Sequence, residues 1–150
     1  ETLAVGLADG TVELRGLADL SLKSAHQLHE APVSAVCAVE DGLISGDDVG
    51  QVARWRRNGA YEDWQEQWRA QHEDRVVAIH IGGAKSVVTA ALDGTLRVWR
   101  GDDGEQRFAV PGHKVWLGSV CIEEGNGFMV TDGRDNAVYL YDFRSGGDED

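Results

Sequence analysis

A short phrase that joins a turn to a strand occurs four times in this chain of 150 residues. Its clearest copy is Asp93-Gly94 followed by Thr95 to Trp99, because Asp and Gly favour a turn and the residues after them favour a β-strand. Looser copies begin at Asp9, Asp48 and Asp135. The spacings between equivalent turn residues are 40, 44 and 42, counted over Gly10, Gly50, Gly94 and Asn136. This period predicts one supersecondary unit repeated along the chain.

Short apolar runs separated by turn signals surround each copy and predict three, four, four and three strands in succession. A period of about 40 residues with four strands is typical of the blades of a β-propeller. We therefore expect an all-β protein with a partial blade at 1–28 that lacks its inner strand, blades at 29–71 and 72–111, and a partial blade at 112–143 that lacks its outer strand. A flexible acidic tail at 144–150 would follow. Such a ring is incomplete, so further blades of the same protein or of another chain are expected to close it.

One segment of the second unit allows two interpretations. Arg57 to Gln65 is predicted to form a longer connection that leads into an edge strand around Glu66 to Ala70. The aromatic residues Tyr61, Trp64 and Trp68 also fit the spacing of a short amphipathic helix.

The formal net charge is −12, from 26 acidic and 14 basic residues, so direct binding to nucleic acid or to an anionic membrane is not expected. Cys37 and Cys121 fall at matching positions of two units, which does not favour a disulfide, and a reducing compartment is expected. The histidines do not stand at metal-ligand spacings, and no Gly-x-Ser-x-Gly elbow or phosphate-binding loop is present in the sequence. We expect neither a cofactor nor a bound metal.

The repeats resemble the WD40 family across essentially the whole chain. The opening Gly-His pair of that family stands here as Gly112-His113. Its closing Trp-Asp pair is represented by Trp55-Arg56, Trp99-Arg100 and Tyr141-Asp142. The resemblance implies a WD40-type β-propeller fragment of four-stranded antiparallel blades. It also implies a non-catalytic, intracellular scaffold that presents loops to partner proteins in a larger complex, in the cytoplasm or the nucleus.

In that family a histidine, a Ser or Thr, an Asp and a Trp of each blade share a buried hydrogen-bond network that holds the blade together. Carried over by position, the resemblance implies this role for His72, Thr89, Asp93 and Trp99, for His113, Thr131, Asp135 and Tyr141, and for His29, Ser45, Asp48 and Trp55. The first unit departs from the pattern because Arg15 stands where Trp is expected. Asp47 is an alternative to Asp48 as the acid of the second unit.

The resemblance also implies where partners bind, on the loops at one face of the ring. The corresponding residues stand just before an inner strand or just before the turn Asp, and they are Pro32, Arg75, Trp116, Ala8, Asp47, Leu92 and Arg134. Trp116, Arg75 and Arg134 are the strongest candidates, because Trp and Arg dominate the binding energy of protein interfaces.

Two alternatives remain open. The stretch from His29 to Val33, the stretch from Ser45 to Val52 and the acidic end resemble nucleolar WD-repeat factors of ribosome assembly, which implies a role in a ribonucleoprotein. His, Ser and Asp in one blade are also the ingredients of a hydrolase triad. Because the same residue types recur in other blades at matching positions, the structural role is the better interpretation, and we expect no enzymatic activity.

Overall fold

The computed structural model describes residues 1–59, 63–82, 85–111, 117–123, 128–133 and 137–142. For residues 111, 117–120, 122, 123, 128–133, 141 and 142 it describes the backbone alone. Within these ranges the chain forms fourteen β-strands and no helix.

The strands are grouped into four antiparallel sheets in chain order. The first sheet contains β1 (Thr2–Gly6), β2 (Thr11–Gly16) and β3 (Leu22–Gln27), and the second contains β4 (Val33–Val39), β5 (Gly42–Asp47), β6 (Gln51–Asn58) and β7 (Asp63–Gln71). The third sheet contains β8 (Val76–Gly82), β9 (Ser86–Ala91), β10 (Thr95–Arg100) and β11 (Gln106–Pro111), and the fourth contains β12 (Leu117–Glu123), β13 (Phe128–Gly133) and β14 (Val138–Asp142). Each strand pairs with its neighbour in sequence, so every sheet is a meander. The predicted all-β fold is confirmed.

Successive sheets pack face to face through their first strands. β4 contacts β8, and β8 contacts β12, while β1 contacts β4 in the way that β5 contacts β8. The first sheet therefore begins with the strand that is second in the other sheets. A shared close contact supports this equivalence, since a Cβ on Gly6 would lie 2.5 Å from Cγ1 of Val33 and a Cβ on Gly46 would lie 2.6 Å from Cγ1 of Val76.

Apolar side chains fill the spaces between the sheets. The core between the second and third sheets contains Ile44, Val52, Trp68, Val76, Ile79, Val87 and Trp99. The core between the first and second sheets contains Val12, Leu28, Leu43, Ala53 and Trp55. On the other face of the third sheet, toward the fourth, lie Val88, Ala90, Leu96 and Val98. Each middle sheet is thus apolar on both faces, as a sheet with neighbours on both sides must be.

The repeated turns share one backbone geometry. Gly10, Gly50 and Gly94 have φ values of 88°, 86° and 79°, a region that glycine enters without a steric penalty. The amides of Gly50 and Gly94 donate to the carbonyls of Asp47 and Ala91 at 3.2 and 3.1 Å. We call the end of the sheets that carries these turns the upper end and the opposite end the lower end.

The prediction of a long connection in the second unit is wrong. β6 continues to Asn58 and β7 begins at Asp63, so most of the segment from Arg57 to Gln65 forms a hairpin. The pairing shifts by one residue between Arg54 and Trp55. This bulge places Trp64 on the face toward the first sheet, against His26, and Trp68 on the face toward the third. The helix-like spacing of these tryptophans comes from a strand that changes face at a bulge.

Candidate functional site

A buried hydrogen-bond network lies on the face of the second sheet that packs against the first. His29 Nδ1 lies 2.9 Å from the Asp47 carboxylate, and its Nε2 lies 2.6 Å from Ser45 Oγ. Trp55 Nε1 donates to the same Ser45 Oγ at 2.9 Å. A neutral imidazole with its proton on Nδ1 satisfies this arrangement, because Ser45 can then donate to Nε2 while it accepts from the indole. Burial lowers the pKa of His29 and favours that neutral form.

The third sheet contains the same network, with its histidine, hydroxyl and indole at equivalent positions and its acid in the turn. His72 Nδ1 lies 3.1 Å from the Asp93 carboxylate, His72 Nε2 lies 2.6 Å from Thr89 Oγ1, and Trp99 Nε1 donates to that oxygen at 2.8 Å. Burial acts to raise the pKa of Asp93, but hydrogen bonds from His72, from Thr95 and from the amide of Glu73 outweigh it and lower the pKa. Ionised Asp93 therefore ties the loop before β8 to the turn before β10.

The acid of the second network is Asp47, so the assignment of Asp48 to this network is wrong. Asp47 is the last residue of β5 and is 1% exposed, and its carboxylate accepts from the amides of Val49 and Gln51 at 3.0 and 2.8 Å. Counted from the turn glycine, Asp47 stands two residues earlier than Asp93 does. The carboxylate reaches the same place from the end of the strand that Asp93 reaches from the turn.

Asp47 is likewise not available as a partner-binding residue, because its side chain is buried and fully bonded. Asp48 takes the partly exposed position at the turn, with 35% of its side chain exposed. Its amide donates to the carbonyl of Pro32 at 2.9 Å, just as the amide of Leu92 donates to the carbonyl of Arg75 at 2.9 Å. The two aspartates thus exchange the roles that the sequence suggested for them.

Three of the predicted partner-binding residues, Pro32, Arg75 and Leu92, lie with Asp48 on one surface at the upper end. The Arg75 guanidinium lies 2.9 Å from the Asp48 carboxylate, and their side chains are 50% and 35% exposed. Pro32 is exposed and Leu92 is half-buried. We call Pro32, Asp48, Arg75 and Leu92 the upper loop cluster. Val49, which is 56% exposed, stands next to Asp48 in sequence and was not predicted as a binding residue.

Several predicted residues lie outside the described structure. Trp116, His113, Arg134 and Asp135 fall outside the described residues, and only the backbone is described for Thr131 and Tyr141. In the first sheet Arg15 pairs with Glu13 at 2.7 Å, and the exposed Asp9 accepts from the amide of Thr11 at 2.9 Å. The first sheet therefore contains part of the turn geometry without the histidine and the indole.

Sequence reasoning missed two glutamines that secure the upper end. Gln27 Nε2 donates to the carbonyls of Asp9 and His29 at 2.6 and 2.7 Å. Gln71 Nε2 donates to the carbonyls of Val49 and His72, both at 2.7 Å. Each glutamine is the last residue of the final strand of its sheet and stands one or two residues before the network histidine. This repeated position is the sequence signal that could have identified the two glutamines. Both side chains fix the turn to the next histidine.

Asp47, His29 and Ser45 are bonded in the order of a hydrolase triad, but the serine is closed off from solvent. Ser45 is fully buried, and its oxygen is already shared between His29 and Trp55. A nucleophile of that kind must reach a carbonyl carbon, which requires an accessible oxygen.

Among the described residues no group of three or more His, Cys, Asp or Glu side chains is arranged to hold a metal ion. None of the described segments forms a helix long and apolar enough to cross a membrane.

Comparison with known proteins addresses the fold. No protein-family model matches the sequence. The chain is similar to the computationally designed Ika4 protein, whose crystal structure it matches with a TM-score of 0.79 over 93% of this chain and 84% of that one, at 23% sequence identity. The four antiparallel sheets of this chain, each of 3–4 strands, resemble the blades of a propeller. At this identity the similarity shows the fold alone.

Proposed function

We propose that this chain is part of a WD40-type β-propeller that acts as a non-catalytic scaffold and binds partner proteins through the upper loop cluster. The observation that carries the proposal is the contrast between the two kinds of polar group. The His, Ser, Thr, Asp and Trp side chains of the second and third sheets are buried and bonded to one another, whereas the charged side chains of Arg75 and Asp48 are partly exposed at the upper end. A rigid scaffold with exposed loops is a common design for recognition.

The repeated network supports the WD40 part of the proposal. Histidine, hydroxyl, carboxylate and indole occupy equivalent positions in two successive sheets and satisfy one another. A catalytic site would have no reason to be duplicated in this way. The bonded, inaccessible Ser45 supports a scaffold over a hydrolase.

The open face of the fourth sheet supports the proposal that more blades belong to the functional assembly. Val138 and Leu140 of β14 are 71% and 65% exposed, while the equivalent Leu96 and Val98 of β10 are buried beneath the next sheet. Apolar strand faces of this kind are normally covered. We propose that a further blade, from the same protein or from another chain, packs on this face.

The overall acidity and the unpaired, reduced cysteines fit an intracellular protein in the cytoplasm or the nucleus, and we propose that location. The ribosome-assembly alternative makes a separate prediction, namely that RNA accompanies the protein when it is isolated. Digestion with ribonuclease before isolation distinguishes the two, because partners held through RNA are then lost.

The scaffold proposal is tested by partner capture with matched variants. The protein, its Arg75→Glu variant and the control Arg107→Glu are expressed with an affinity tag, and bound proteins are quantified by mass spectrometry. Arg107 is also an exposed arginine of the third sheet, but it lies on β11, away from the upper end. We expect Arg75→Glu to reduce specific partners at least several-fold while Arg107→Glu does not. Equal capture by all three proteins would refute the upper loop cluster as the binding site.

A further inference from the structure

A cleft opens between the second and third sheets at the lower end, opposite the upper loop cluster. Its volume is about 480 Å³, and its floor is formed by Val39, Ile44, Ile81 and Val87. Ile44 and Val87 belong to the core between these sheets, so the cleft reaches that core from below. A volume of this size with an apolar floor is typical of sites that hold a small ligand or a side chain.

Arg54 stands in the wall of the cleft, and its Nε makes no hydrogen bond among the described residues. Its Nη2 donates to the Asp41 carboxylate at 3.0 Å, and its Nη1 donates to the carbonyl of Gly101. Its Nε is buried and has no hydrogen-bond partner among the described residues. A buried N–H without an acceptor is unfavourable, and a guanidinium binds carboxylates with two parallel N–H donors. Because the chain itself encloses this Nε, the donors that remain open to a ligand are those of exposed cations on the rim.

Two further cations stand on the rim and share the carboxylates that Arg54 uses. Arg56 Nε lies 3.5 Å from Asp41, and Lys85 Nζ lies 3.7 Å from Asp102, whose carboxylate is 3.9 Å from Arg54. Arg56 and Lys85 are 55% and 79% exposed, so most of their donors face solvent. The three cations thus share only two carboxylates, those of Asp41 and Asp102.

A third carboxylate, that of Glu40, also lies on the rim and is exposed. It forms no ion pair with the three cations of the cleft. A carboxylate in this position can accept a backbone N–H from a bound peptide. The rim therefore offers donors to an acidic group and an acceptor to a peptide amide, above a floor that excludes polar groups.

We propose that this cleft binds a short peptide segment of a partner protein that carries a branched aliphatic side chain next to a carboxylate. The aliphatic side chain occupies the floor between Ile44 and Ile81, and the carboxylate accepts from the exposed Arg56 and Lys85. This site is separate from the upper loop cluster, and either can fail without the other.

The test uses the protein labelled with ¹³C at its isoleucine and valine methyl groups and titrated with blocked hexapeptides. The probe has the sequence Gly-Ser-Leu-Asp-Gly-Ser, and its two controls replace Asp by Asn or Leu by Gly. We expect the probe to shift the methyl signals of Ile44, Ile81 and Val87 with saturation. Each control is expected to bind about tenfold more weakly, because one loses the charge-assisted hydrogen bonds and the other loses the buried side chain.

Variants on the rim complete the test without disturbing the core. The pair Arg56→Gln and Lys85→Gln removes two exposed cations and is expected to weaken the probe at least fivefold, whereas Arg107→Gln on β11 should leave its affinity unchanged. Arg54 itself is kept, since its replacement could unfold the sheet interface. Equal affinities for the three peptides, unchanged binding by the rim variants, or an absence of methyl shifts at millimolar probe would each overturn the proposal. None of these results bears on partner capture through Arg75.

Discussion

Arg75 and Asp48 form an ion pair between the loop before β8 and the turn after β5, with 2.9 Å between the Arg75 Nε and the carboxylate. The pair thereby joins the third sheet to the second at the upper end. Both side chains are partly exposed, so water and salt screen their attraction. This geometry suits a surface whose charges remain available to a partner.

We expect the Arg75–Asp48 pair to add little to stability. A double-mutant cycle with Arg75→Ala, Asp48→Ala and the double variant should give a coupling of less than about 1 kcal/mol, which falls further at high salt. Urea unfolding measures each free energy. A coupling above about 2 kcal/mol would show that the pair is a structural link and would weaken its assignment to partner binding.

Replacement of Asp47 should be far more damaging than replacement of its neighbour. Asp47→Ala leaves the Nδ1–H of His29 and the amides of Val49 and Gln51 without their acceptor, and we expect a loss of about 2–4 kcal/mol. Asp48→Ala should change the free energy of unfolding by less than about 1 kcal/mol. Should Asp47→Ala fail to fold, the milder Asp47→Asn serves in its place. The reverse order of effects would restore Asp48 as the network acid.

The stability of the protein should fall as the pH is lowered through the range in which unfolded histidine titrates. Burial lowers the pKa of His29 in the folded state from its usual 6.5, so the unfolded state binds the proton more readily. The resulting stability is fully present above the unfolded pKa and declines below it, by up to about 1.4 kcal/mol per pH unit.

Urea unfolding between pH 8 and pH 5.5 measures this slope in the wild type and in His29→Gln. The variant removes the titrating group, so its slope should be smaller even though its stability is lower throughout. Identical slopes in the two proteins would show that the pKa of His29 is not lowered in the folded state.

We expect any side chain at Gly46 to destabilise the protein because it would clash with Val76. A second substitution, at Val76, tests this cause. A Cβ at this position would lie 2.6 Å from Cγ1 of Val76 on the neighbouring sheet, and we expect Gly46→Ala to cost about 1–3 kcal/mol. Val76→Ala removes the two methyl carbons and keeps the Cβ, which is 2.7 Å away, so it relieves part of the clash and the double variant should lose less than the two single variants together. Gly82→Ala is the matched control, because the nearest atom there is 3.8 Å away. Strict additivity at Gly46 and Val76 would contradict the close contact.

The fold could be predicted because its signals are local. Gly10, Gly50 and Gly94 mark the same turn with the same positive φ, and the strands on either side alternate in a regular way. The hairpin of β6 and β7 could not be predicted, since the bulge opposite Arg54 and Trp55 shifts the alternation by one residue in the middle of a strand. Bulges change which face a residue occupies without changing its chemical type.

The candidate site was only partly predictable for a related reason. Residue types and spacing identify His29, Ser45 and Trp55, but a carboxylate can reach the network from the end of the strand or from the turn, and only the backbone path decides between Asp47 and Asp48. The lower cleft carries no motif, because Arg54 and Gly101 are 47 residues apart and belong to different sheets. Matching the repeats to one another identifies equivalent residues, but it does not show which residues of different repeats contact each other.

The stack of sheets has a direction, because each network lies on the face toward the preceding sheet. Local opening of the first sheet would expose His29 and Trp55 to water. Local opening of the fourth sheet would instead expose the aliphatic side chains of Leu96 and Val98. Proton uptake by an uncovered imidazole favours the first opening, and the weakening of hydrophobic contacts at low temperature favours the second. The same molecule should therefore fray from one end in acid and from the other in the cold.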